Sequence, residues 1–108
     1  MSDFNDLWEE LKKGALDITK KESASCAKEL SKDVNDFLSE AKKYIETWSI
    51  QLASGSLSMD EFNFLAKGRL KNLAEMKALT LAGIEVSQVD RIRTELVNLA
   101  IGTIIKAI

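Results

Sequence analysis

Apolar residues near the start of the chain fall at Phe4, Trp8, Leu11, Ala15 and Ile18, spaced 4, 3, 4 and 3 apart. That spacing stacks them on one face of a helix, with Glu9/Lys13 and Asp17/Lys21 flanking the stripe as favourable pairs four residues apart. Ser2 or Asp3 is the expected cap. A second stripe runs through Cys26, Leu30, Val34, Phe37, Ala41, Tyr44, Trp48 and Leu52, widened by Leu38 and Ile45. Its mean spacing is wider than a heptad, which disfavours a long left-handed coiled coil.

Between the stripes, residues 19–25 hold no large apolar side chain, and Glu22 stands where the first stripe would continue. Two readings stay open. The absence of proline anywhere, and of Gly or Asn turn chemistry between residues 15 and 34, favours one helix from about residue 3 to residue 53. Such a helix would be roughly 75 Å long, and would leave Phe4, Trp8, Leu11 and Ile18 without a local partner. The alternative takes Gly14 as a helix stop and Thr19-x-x-Glu22 as a capping box, and folds residues 3–18 back as the fourth member of a bundle.

Residues 53–58, Ala-Ser-Gly-Ser-Leu-Ser, predict a turn, and Ser58-x-x-Glu61 predicts a capping box. A third helix follows with Phe62, Leu65, Leu70, Leu73, Met76 and Leu79 inward, ending at Gly83. Ser87 is the expected cap of the last helix, with Asp90 in its first turn. Val89, Ile92, Leu96, Leu99, Ala100 and Ile104 form the inner stripe of that helix, with Val97, Ile101, Ile104 and Ile108 beside it. An arc so wide exceeds what one neighbouring helix covers, so this end is expected centrally in the bundle or in a subunit contact. The expected fold is a single all-α domain over residues 1–108, an antiparallel bundle of three to four helices.

Composition narrows the chemistry. The 108 residues contain no histidine and one cysteine, which excludes Ser/His/Asp and Cys/His nucleophilic arrangements, His-containing metal sites and thiolate clusters. Five scattered glycines form no phosphate-binding loop. Asp33, Asp36 and Glu40 share a helix side but lie off the apolar stripe, and read as a solvated face. No catalytic residue, cofactor or metal is expected. Cys26 reads as a small buried hydrophobe.

Residues 1–53 carry 8 Lys against 11 Asp/Glu, and residues 54–108 carry 7 Lys/Arg against 6 Asp/Glu. Neither half concentrates the positive field that nucleic acid requires. The best basic patch, Lys67, Arg69 and Lys71 with Arg91 and Arg93, is interleaved with acids and reads as a solvated face. The first residues lack the basic flank and apolar core of a signal peptide, so cytoplasmic residence is the expectation.

These readings converge on a non-catalytic helical bundle that works by association, as a homo-oligomer, an assembly component or an adaptor. Phe4, Trp8, Leu11, Ile18, Val97, Ile101, Ile104 and Ile108 are the expected interface. The alternative is an amphipathic binder of a lipid or other apolar surface. The acidic first half opposes that reading, because surface helices on anionic lipid usually carry Lys/Arg on their polar face. An enzyme using only carboxylates, lysines or hydroxyls is the remaining class.

Overall fold

A computed structural model describes residues 4–22 and 26–107. Among the described residues five helices follow one another: α1 (Phe4–Glu22), α2 (Ala27–Ser54), α3 (Met59–Leu73), α4 (Lys77–Leu81) and α5 (Val86–Ala107). Among the described residues there is no strand, and no helix is long and apolar enough to cross a membrane. The proposed caps Ser2 and Asp3, the course of residues 23–25 and the interface candidate Ile108 lie outside the described residues.

The four long helices form a closed ring in which α1 packs on α2, α2 on α3, α3 on α5 and α5 on α1, while α1 and α3 do not meet. Each adjacent pair is antiparallel. Lys42 reaches Trp8 across α1/α2, Trp48 meets Phe62 across α2/α3, Arg93 meets Lys71 across α3/α5, and Lys106 meets Glu10 across α5/α1. The result is an up-down-up-down four-helix bundle with α4 lodged against α2 and α5. Its longest dimension, 43 Å, matches the roughly 42 Å expected of the 28 residues of α2.

The single helix over residues 3–53 is therefore corrected. The helical course is interrupted before α2: Cys26 has φ −142° and ψ 31° at the α2 N-cap, and its carbonyl accepts the first α2 bond from the Leu30 N–H. Packing settles the matter. Folding back lets Leu7, Leu11 and Ala15 of α1 become buried, whereas an overhanging helix would have left that stripe in water at a cost of about 1.5–3 kcal/mol for each large side chain. Neither Gly14 nor Thr19 plays the part the pattern suggests. Gly14 lies inside α1, where a Cβ would stand 2.7 Å from Leu99 Cδ1, so its bare backbone sets how closely α1 and α5 approach. The Thr19 hydroxyl donates to the Ala15 carbonyl one turn back.

At the α2–α3 corner the expected chemistry is present. Gly55 adopts φ 80°, and its N–H donates to the Leu52 carbonyl. Ser58 and Glu61 exchange both bonds of the capping box, at 3.0 and 3.1 Å.

The expected third helix instead breaks. α3 stops at Leu73, and Met76 takes the left-handed conformation at φ 56°, which costs a non-glycine residue about 1–2 kcal/mol. Two features offset that cost. Ala74, Met76 and Leu79 all become buried, and Asp33 of α2 accepts the N–H groups of Ala78 (2.9 Å) and Leu79 (2.8 Å) at the start of α4. Asp33 is accordingly 4% exposed, which corrects its reading as part of a solvated face, while Asp36 and Glu40 are exposed as expected. Gly83, at φ 81°, ends α4 with a Schellman arrangement: its N–H donates to the Thr80 carbonyl and that of Ile84 to the Leu79 carbonyl. Val86, not a residue after Ser87, begins α5.

The wide apolar arc of α5 finds its cover inside the chain. Ile92, Leu96, Val97, Ala100, Ile101 and Ile104 are buried, because α5 is flanked by both α1 and α3.

Candidate functional site

Several interface candidates are consumed by the core. Leu11, Val97, Ile101 and Ile104 are buried within the chain, and Phe4, Trp8 and Ile18 are half-buried against the same core. The Trp8 ring stacks on Phe4 with centroids 5.9 Å apart and carries the Lys42 ammonium 5.4 Å from its centre. For the positions on α1 the partner is supplied inside the chain by α2 and α5.

Another surface is left apolar. On α3, Phe62, Ala66 and Leu70 point into the core at four-residue intervals, which turns Phe64 about 200° away from Phe62 and leaves it 82% exposed. Leu65, expected inward, sits on the shoulder of the helix at 48% exposure, and Tyr44 of α2 at 38%. Together with Trp48, Gly68 and Arg69 they line an open groove of about 730 Å³ between α2 and α3. Its floor is ordered by aromatic contacts. Trp48 meets Phe62 edge-on at 5.9 Å and Tyr44 at 5.8 Å.

The rim is basic. Lys67, Arg69 and Lys71 border the groove, with the Arg69 guanidinium 5.3 Å from the centre of the Tyr44 ring. Arg93 donates to the Lys71 carbonyl from Nε (3.0 Å) and Nη2 (2.6 Å), tying α5 to the last turn of α3. A smaller cleft between α3 and α5 continues past Lys67 and Lys71. Arg91 does not belong to this patch. Two residues from Arg93 on a helix, it faces α1 and grips Glu22 with two bonds of 3.0 and 2.8 Å. That pairing holds the Glu22 carboxyl below its ordinary range against the opposing push of burial and explains how a carboxylate occupies a stripe position with a side chain only 9% exposed.

An inner stripe through Phe62 and Leu65 passes over Phe64. The signal was present: Phe62, Phe64 and Leu65 cannot all face one core from a single helix. Among the described residues, no three of Asp, Glu and Cys stand close enough to hold a metal ion. No protein-family model, curated protein or solved structure matches the chain.

Proposed function

We propose that this chain is a non-catalytic helical-bundle protein that works by association, and that the groove between α2 and α3 is its contact surface. The observation that carries this reading is the coexistence of a closed core with Phe64, Leu65 and Tyr44 gathered, uncovered, along one groove. Scattered exposed apolar residues are ordinary, but a contiguous apolar surface with an aromatic centre and a polar rim is how association sites are built. Covering Phe64 alone would contribute about 1.5–3 kcal/mol.

The lipid-surface alternative is less well served. The apolar arc of α5 that favours it, Ile92, Leu96 and Ile104 included, is buried inside the chain, which leaves only the groove face open to a membrane.

The test is a photo-cross-linking side chain, p-benzoylphenylalanine, placed at Phe64 in one version and at the exposed Ser39 of α2 in another. Association through the groove gives a discrete adduct from position 64 and none from position 39, and mass spectrometry separates a second copy from a different polypeptide. No polypeptide adduct at 64, or equal adducts at both positions, would overturn the reading.

A further inference from the structure

Resting on that reading, we propose that the groove's occupant is an acidic amphipathic helix of a partner protein, its apolar side chains on Tyr44, Phe64 and Leu65 and its carboxylates on Lys67, Arg69 and Lys71. Charge complementarity is the first argument. Outside the groove Lys12, Lys21, Lys32, Lys77, Arg91 and Lys106 pair with carboxylates of the chain, and Lys13, Lys28, Lys42 and Lys43, which have no such pair among the described residues, stand away from its lining. Lys67, Arg69 and Lys71 have no such partner among the described residues, and Glu61, the acidic residue nearest to them along α3, is committed to its capping box. Three uncompensated cations beside an apolar strip call for a ligand that brings carboxylates and apolar side chains together.

Gly68 is the second argument. It lies in the middle of α3, has ordinary helical backbone, and an added Cβ would meet nothing within 4 Å. Glycine there costs about 1 kcal/mol relative to alanine, and no contact inside the chain requires it. A second helix crossing at this point gains close backbone approach from the missing side chain. The dimensions agree: from Phe64 to Lys71 α3 rises roughly 10 Å, two helical turns, which is the reach of apolar anchors at i, i+3 or i+4, and i+7.

Other occupants fit less well. A nucleic acid would find aromatic rings but only three unpaired cations, on a chain whose net charge is −2, where polyanion binding depends on many phosphate contacts. A second copy has fewer free carboxylates to bring, since its Glu9, Glu10, Asp36 and Glu95 are already paired with Lys12, Lys106, Lys32 and Lys21.

The experiment measures fluorescence anisotropy of the full chain with three labelled probes. These are a Leu/Ala/Glu amphipathic peptide of about 18 residues, the same peptide with Gln for every Glu, and an oligothymidylate of about 15 nucleotides. The expected result is binding of the Glu peptide about tenfold tighter than the Gln peptide at low salt, the difference shrinking as salt screens it. The double variant Lys67→Glu, Lys71→Glu should erase that preference. Gly68→Ala should raise the melting temperature yet weaken the Glu peptide several-fold, so lost binding there is not lost folding. Equal affinity for the two peptides, an unchanged preference in the double variant, or tighter binding of the oligonucleotide would overturn the acidic-helix proposal while leaving association through the groove standing. Failure of both peptides, with no groove-specific adduct at position 64, would remove the two together.

Discussion

Asp33 on α2 and Leu79 on α4 are joined by a 2.8 Å hydrogen bond from the Leu79 N–H to the carboxylate, across 46 residues of chain. The other carboxylate oxygen takes the neighbouring Ala78 N–H, so one side chain satisfies both donors. Asp33→Ala should lower unfolding stability in urea by about 2–4 kcal/mol, through loss of the cap and of two bonds to a charged acceptor. Amide hydrogen exchange at Ala78 and Leu79 should accelerate in the same variant. Asp33→Asn keeps one acceptor and should lose about half as much.

Gly14 and Leu99 make a second long-range dependence. Helix propensity alone favours Gly14→Ala by about 1 kcal/mol, but the new methyl would meet Cδ1, Cδ2 and Cγ of Leu99 at 2.7, 3.0 and 3.3 Å. Overpacking of that kind costs about 1–3 kcal/mol, so the net change should be a loss of about 1 kcal/mol. In a Leu99→Ala background the same substitution should become stabilising. A double-mutant cycle followed by thermal melting reads the reversal directly.

At Met76 backbone strain competes with burial. Met76→Gly relieves the left-handed conformation, worth about 1–2 kcal/mol, but removes a buried side chain whose deletion costs about 2–5 kcal/mol. A net loss is expected in urea unfolding; a gain would show that the side chain contributes little at the α3–α4 break.

Acid should weaken the fold through two carboxylates. Arg91 holds Glu22, and the Ser58 N–H and hydroxyl hold Glu61, below the usual 4.5. The unfolded chain thus binds protons more readily, and the contribution of both groups is complete above the unfolded value and lost as pH falls through the folded one. Melting temperature should be level from about pH 7 to about pH 5 and then fall. Glu22→Gln should melt lower at neutral pH and converge with the parent chain in acid.

Phe62 and Phe64, two residues apart, should respond oppositely to truncation. Phe62→Ala empties a fully buried site and should cost about 3–5 kcal/mol. Phe64→Ala removes an exposed ring and should change stability by less than about 0.5 kcal/mol. A large loss at Phe64 in the isolated chain would mean that its ring supports the fold and not a contact.

What could be read in advance follows the range of the interactions. Gly55, the Ser58/Glu61 box and the core stripes of α2 and α5, apart from the exposed Tyr44, were legible, because turn chemistry and helical periodicity act over a few residues. The break at Met76 was not, since its cause includes Asp33 on another helix, and the local pattern from Phe62 to Leu79 fits one continuous helix equally well. Gly14 is ambiguous for the same reason: a glycine inside a stripe fits a stop or a continuing helix until Leu99, 85 positions later in the sequence, supplies the reason for it. The most regular apolar stripes, where the sequence places the expected interface, are packed against the core of the chain itself. Regularity is the mark of side chains that fold inward, whereas Phe64 stands out of phase.

Cys26, the one thiol in the chain, is 1% exposed at the corner where α2 begins. A thiol-reactive dye can therefore label the protein only when that corner opens, and the labelling rate across denaturant concentrations would report whether α1 detaches by itself or departs with the whole bundle.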